Sequence, residues 1–409
     1  MFGTKVRKID FIYNLIAAII VWGATAYHYI NTGMSIAIII FILFFVYNQY
    51  KKISIKNFYV DKNILKAFGS VYGLLFLTTL FHLDNIKNLY GGWYCLVGFI
   101  LYTIPLWMIL YIGWNKDIRK SITITFAFIS YALCLFGIYQ CLFLDVGRLH
   151  SFYTSPTHVG IMLDMFIPFT ITLAIYYRNK KSICISMIGL LLLEFITLYL
   201  TETRGSFLAL SVALVGIIIT AFFKYREKLL AYRKIVITMT ILFIVLGGIY
   251  CISLGSGNPH RMRGEERFLM WETSYRMWED HKMVGLGLDE WKSSYEGAYR
   301  PAESKEVGQL TMPHNMLFYF LATSGIVGTI GYILYIVFMT RYFWVNISTF
   351  KDNPFSWGMF AIFIAFIAHG MVDETFISKS MSRIFFLFLG ISILFEHNGI
   401  DYNYKYTQE

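Results

Sequence analysis

"QLTMPHNMLFYFLATSGIVG", residues Gln309 to Gly328, divides into two halves of opposite character. From Met316 onward it reads as an ordinary membrane-spanning helix, while Pro313, His314 and Asn315 stand where a lipid-embedded helix would carry leucine. The apolar half points to the fold class. The polar half marks one boundary of the span as a place to look for chemistry.

The rest of the chain repeats the apolar half. With 57% hydrophobic and only 15% charged residues, and a mean hydropathy of +0.57, 409 residues are incompatible with a soluble globular domain. Runs long enough to cross the hydrocarbon core, about 20 residues each, fall near 10–30, 34–50, 67–83, 91–113, 121–144, 159–177, 183–200, 206–223, 233–254, 313–340, 356–372 and 383–396. The expectation is an all-α polytopic membrane protein with about 12 transmembrane helices. Nine occupy residues 1–254, an extracytoplasmic loop fills 255–312, three more fill 313–396, and 397–409 form a cytoplasmic tail. The first run is too long for a signal-peptide core and lacks a cleavage site. Cys95, Cys134, Cys141, Cys184 and Cys251 all lie in apolar runs and read as small hydrophobes.

The connections alternate in charge. "KVRK", "KKISIKNFYVDKNILK", "NKDIRK", "RNKK" and "KYREKLLAYRK" are basic, whereas the intervening short connections hold only Lys87, Arg148, Arg204, Lys379 and Arg383. The positive-inside rule then places both termini in the cytoplasm. The net charge of +10 is mostly this topology signal, which makes nucleic acid a poor partner and the bilayer the expected one.

One connection is long. Gly255 to Met312 is 58 residues outside the membrane, and within it "GEERFLMWETSYRMWEDHKMVGLG" is helical in pattern. Phe268, Trp271, Tyr275 and Trp278 recur on one face, which is expected to rest on the membrane domain or in the interface, or else to grip a sugar. Gly285 and Gly287 are expected to end the helix. No internal repeat suggests an inverted-repeat transporter.

Ionisable groups at the outer ends of spans are the candidates for function. Arg204, in "YLTETRGSFLAL", sits beside a returning helix start and suits a phosphate or diphosphate, or else snorkels to the interface. Arg267 opens the loop helix among Arg261, Arg263, Glu265 and Glu266, a pattern that a solvated charged turn also explains. Arg148 lies near His150 and His158 without metal-ligand spacing. Pro313 is pre-set for a first helical turn, which would put His314 and Asn315 at a helix N-terminus. There the helix-end field disfavours imidazolium, so the ring is expected to stay neutral and able to accept a proton. An interfacial histidine bonded to a neighbour is the alternative. His369, Asp373 and Glu374, in "AHGMVDETF", form another polar outer end with an expected supporting role. The chain has no phosphate-binding loop, zinc motif or serine-hydrolase motif. The extracytoplasmic face has no nucleotide supply, so an enzyme there needs a donor already activated and delivered across the membrane, a requirement that a lipid pyrophosphate meets.

"TETRGSFLAL", "ERFLMWETSYRMWEDHKMVGLGLDEW" and "PHNMLFYFLATSGIVGTIGY" resemble, in order and spacing, the three signature blocks of the O-antigen ligase and polymerase superfamily. The resemblance covers about residues 145 to 340. It implies a GT-C-type glycosyltransferase architecture with one long helical periplasmic loop, in the bacterial inner membrane with its site facing the periplasm. It also implies an undecaprenyl-pyrophosphate-linked glycan donor, a sugar hydroxyl of lipid A-core as acceptor in the ligase branch, inversion at the anomeric carbon, and no metal or cofactor. By the same resemblance Arg204 and Arg267 hold the donor diphosphate and His314 activates the acceptor, with Arg148, Asn315 and Trp271 also placed against substrate. Arg148 precedes "SFYTSPTH", where Ser155, Pro156 and Thr157 replace the family's asparagine-flanked proline. A polymerase of the same superfamily and a lipid-linked glycan transporter remain the alternatives to a ligase.

Overall fold

The computed structural model describes residues 2–25, 30–51, 60–82, 86–225, 241, 264–304, 310–347 and 354–406. The expected span at 233–254, together with Arg261 and Arg263, lies outside the described residues. Among those described, all regular structure is helical.

The chain runs through α1 (Phe2–Thr25), α2 (Ile30–Tyr50), α3 (Lys62–Leu80), α4 (Ile86–Leu101), α5 (Ile104–Asn115), α6 (Arg119–Phe143), α7 (Pro156–Tyr176) and α8 (Lys181–Thr201). It continues with α9 (Arg204–Tyr225), α10 (Gly264–Asp280), α11 (Trp291–Ser294) with a π-helical turn at Tyr295–Tyr299, α12 (Met316–Asn346), α13 (Pro354–His369) and α14 (Lys379–Tyr406). Among the described residues eight segments are long and apolar enough to span a membrane, and Asp10–Thr25 and Pro354–His369 are shorter apolar helices. The protein is a multi-pass membrane protein. The span expected at 91–113 is two helices, α4 and α5, which meet at Tyr102 and Thr103. Pro105 near the start of α5 explains the interruption, because its ring bars a continuous ladder of hydrogen bonds.

The span expected at 383–396 is the middle of a longer helix. α14 begins at Lys379 and stays helical to Tyr406, through most of the stretch expected to be a tail. Every residue from Ser380 to Phe395 is buried, against α5, α13, α1 and α7 among others. A helix apolar on all sides belongs in the middle of a bundle, and α14 is that pillar.

Contacts between helix termini show the up-and-down order. At one end Tyr153 donates to the Thr25 carbonyl at 2.8 Å, Leu149 N to Leu200 O at 3.1 Å, and Met316 N to Gly370 O at 2.7 Å. At the other, Lys116 pairs with Asp10 at 2.8 Å and Ser356 donates to Glu396 at 2.5 Å. Thus α7, α9, α12 and α14 all start at the end where α8 and α13 finish.

α12 is not the unbroken span expected from its sequence. At Gly325 the backbone leaves the helix, with φ 60° and ψ −162°, a region essentially closed to residues with a Cβ. The segment after α10 fills the break. Leu286 N and Gly287 N donate to Ala322 O and Thr323 O at 2.9 Å each, and Ile326 N and Val327 N donate to Lys282 O and Met283 O at 2.9 and 3.2 Å. A broken helix inside a membrane needs substitute partners for its freed amides and carbonyls, and the loop supplies them. Gly285 is also at positive φ, and a Cβ there would lie 2.4 Å from Ser324 N. A Cβ on Gly325 would lie 2.4 Å from the Met283 carbonyl. We expect Gly325→Ala to destabilise the protein by at least about 2 kcal/mol, from backbone strain added to a backbone clash. A melting curve of the purified protein in detergent unchanged from wild type would contradict the interlock.

The same contact corrects the reading of the loop helix. α10 ends at Asp280, and Gly285 and Gly287 serve the interlock rather than a helix cap. Its buried line is Glu266, Met270, Thr273, Ser274 and Met277, while Phe268 and Tyr275 of the aromatic face are 66% and 44% exposed. Polar members are tolerated inside because they are bonded: Trp291 donates to Ser274 at 2.9 Å, and Ser304 donates to Glu266 at 3.1 Å. α10 is therefore fixed to the bundle by its small and sulfur-bearing side, with one aromatic exception at Trp271.

Candidate active site

Asn315, rather than Pro313, starts α12. Its extended backbone (φ −159°) and its side-chain oxygen, which accepts from Leu317 N at 2.9 Å and Phe318 N at 3.2 Å, make it the N-cap. Asparagine is among the strongest N-cap residues, so it outcompetes the proline two positions earlier. The Asn315 amide also donates to Met371 O at 2.9 Å, which ties the start of α12 to the connection between α13 and α14.

His314 consequently lies just outside the helix, at φ 51°. A left-handed backbone is uncommon for a residue with a Cβ and persists where its surroundings over-determine it. Here it turns the imidazole toward Asp373, and Nδ1 lies 2.9 Å from Asp373 Oδ1. Arg267 reaches the other oxygen, with Nη2 3.9 Å from Oδ2. The amide of Glu374 donates to Oδ1 at 2.8 Å. Burial pushes the Asp373 carboxyl up, but the hydrogen bond and charge of His314, followed by His369 and Arg267, outweigh it and hold the group well below the usual carboxylate range. An ionised Asp373 only accepts, so His314 Nδ1 carries the proton and Nε2 is the nitrogen left to take another. The sequence-based expectation credited the helix-end field with preparing this ring. The structure adds a carboxylate that sets its tautomer.

The folded pKa of Asp373 is depressed, so its contribution to stability is present above the ordinary carboxylate value of about 3.9 and is lost only as pH falls below it. The melting difference between wild type and Asp373→Asn should therefore not shrink between about pH 8 and pH 5 and should shrink below about pH 4. A difference that closes between pH 7 and pH 5 would contradict an ionised Asp373.

Around this dyad the end of the bundle at which α7, α9, α12 and α14 start is densely polar. His158, on the first turn of α7, meets Glu374 at 3.3 Å. His369, at the end of α13, meets Asp164 of α7 at 2.6 Å with both side chains about 1% exposed. The far side of the His369 ring abuts the start of α9: a Cβ on Gly205 would lie 2.9 Å from Nε2. Glycine after Arg204 therefore lets the α8–α9 turn close over His369. Glu202, in left-handed conformation at φ 52°, makes the turn tight enough for that approach.

The structure thus brings His314, Arg267 and Asp373 together. Arg204 stands exposed at the head of α9, one residue from the glycine that touches His369. Arg148 is engaged with the end of α8: Nε donates to Thr201 O at 3.1 Å, and the Glu202 carboxylate lies 4.0 Å away. Trp271 donates to the Pro313 carbonyl at 3.0 Å and stacks on Phe318 at 5.7 Å and 15°, so it fastens α10 beside His314.

Asp373 contacts the histidine directly, a position from which it can play the supporting role expected for it. The available signal was the polar run "HGMVDET" at the end of an apolar span.

Residues 187–333 match the family model described as O-antigen ligase. The matched segment contains Arg204, Arg267 and His314 and stops short of Asp373. No curated protein matches the chain.

Proposed function

We propose, from the match of residues 187–333 to the O-antigen ligase family model, that the chain is a ligase of the O-antigen ligase/polymerase superfamily acting on the periplasmic face of the bacterial inner membrane. In this reading a glycan moves from undecaprenyl pyrophosphate to a sugar hydroxyl of lipid A-core. His314 Nε2 takes the acceptor's hydroxyl proton as the acceptor oxygen bonds to the anomeric carbon. The bond from that carbon to the diphosphate oxygen breaks, and its electron pair leaves with undecaprenyl diphosphate. A single displacement of this kind inverts the anomeric centre.

The observation that carries the reading is the 2.9 Å contact between His314 Nδ1 and Asp373, which orients a histidine as a base at the mouth of the bundle. The leaving group is a dianionic diphosphate whose charge grows as the bond breaks, and Arg267 with Arg204 offers two guanidiniums to meet it. Guanidiniums in that role leave no step that needs a divalent cation, so transfer is expected to survive chelation. The GT-C architecture and the cytoplasmic placement of both termini belong to the same proposal.

The test is transfer by purified, reconstituted protein given lipid-linked O-antigen with either lipid A-core or a second lipid-linked glycan, with and without chelator. Product on lipid A-core supports the ligase. Extension of the lipid-linked chain alone would make the protein a polymerase. Headgroup movement across vesicles without a new glycosidic bond would make it a transporter.

A further inference from the structure

Arg383 takes part in none of the contacts described above. It lies on the second turn of α14, is 8% exposed, and its Nε and Nη1 have no hydrogen-bond partner among the described residues. Its guanidinium carbon sits 5.8 Å from the centre of the Tyr102 ring, at the break between α4 and α5. A buried charge without hydrogen bonds or a counter-ion is costly, and the aromatic face offsets only part of that cost.

The neighbouring charge does not relieve it. Lys379 is one turn away on the same face of α14 and adds a second positive charge instead of a counter-ion. Glu374, whose charge reaches Tyr102, is already bonded to His158. Two cations on one helix face, one of them buried with unused donors, describe a site for an anion with several acceptor oxygens. The adjacent surface is apolar: Val97, Ile100 and Leu101 of α4, beside Tyr102, are 46%, 44% and 47% exposed. That surface suits an acyl or prenyl chain.

We propose that Arg383 and Lys379 form a second phosphate site, which takes the phosphate of a membrane lipid whose chain lies along α4. It uses neither Arg204 nor Arg267 and does not depend on the ligase reading. The phosphate comes from a prenyl carrier or from a bilayer phospholipid.

The test uses the full chain in detergent with Arg204→Gln and Arg267→Gln, so that the proposed donor site is removed from the measurement. Binding of farnesyl phosphate, phosphatidylglycerol and inorganic phosphate is titrated in that background, with and without Arg383→Gln or Lys379→Gln. Arg383→Gln should weaken one or both lipids by about 10- to 100-fold, and Lys379→Gln by a smaller factor of the same sign. Loss of farnesyl phosphate alone identifies a prenyl carrier, and loss of phosphatidylglycerol identifies a bilayer lipid. Equal dependence of free phosphate and both lipids would overturn the lipid assignment. Binding indifferent to both substitutions would overturn the site. If Arg383→Gln does not fold, Lys379→Gln at the helix end decides by the same criterion.

Discussion

Replacing His314 by alanine is expected to lower glycan transfer by roughly 10²- to 10⁴-fold, the usual contribution of a positioned base. The expectation rests on geometry: Nδ1 is committed to Asp373 at 2.9 Å, so the ring has one orientation and Nε2 is its only remaining proton acceptor. The left-handed backbone at φ 51° suggests a companion substitution. Asparagine tolerates that conformation better than alanine, so His314→Asn keeps the turn before α12 while removing the base. His314→Asn should melt closer to wild type than His314→Ala, which also loses the conformational tolerance, and both should be impaired in single-turnover transfer. Near-normal turnover by His314→Asn with loss in His314→Ala would assign the residue to backbone shape instead of proton transfer.

Arg267→Ala is expected to cost about 10²- to 10³-fold, equivalent to roughly 2.7–4 kcal/mol of charge stabilisation in the transition state. Arg267 lies within 3.9 Å of Asp373 but keeps one-third of its side chain exposed, so it is held near the dyad while still facing the space where a diphosphate would depart. The loss should fall on the rate of the chemical step with little change in fold, because α10 is anchored elsewhere, through Met270, Ser274 and Trp271. Arg267→Lys should recover only part of the activity, since an ammonium supplies charge without a planar fork of donors. Full activity in Arg267→Lys would reduce the residue's role to a point charge, and full activity in Arg267→Ala would remove it from the site.

Much of the site was legible in the sequence because charged or polar residues are conspicuous at the ends of apolar runs. Arg204, Arg267 and His314 stand out against leucine and isoleucine, and so does the cluster around Asp373. The pairing of His314 with Asp373 was not legible, because it joins residues 59 positions apart through the packing of α12 against the α13–α14 connection. Nor was the break at Gly325. An alanine-, serine- and glycine-bearing stretch inside an apolar run reads as helix, and only the partner loop reveals that its amides are bonded elsewhere. The aromatic periodicity of α10 was real but marked the less buried side. Residues such as Met270 and Met277 carry the packing, and neither stands out beside four large rings. α14 illustrates the opposite limit, since its apolar stretch was visible but its place at the centre of the bundle is set by the helices around it.

The most direct measurement of the His314–Asp373 dyad is a double-mutant cycle on the rate of glycan transfer, comparing His314→Ala, Asp373→Asn and the double variant. If Asp373 acts by orienting His314 and fixing its tautomer, removing it from an enzyme that already lacks the histidine costs nothing further, and the double variant matches His314→Ala. If the two losses multiply, the residues act independently and the dyad is not the base.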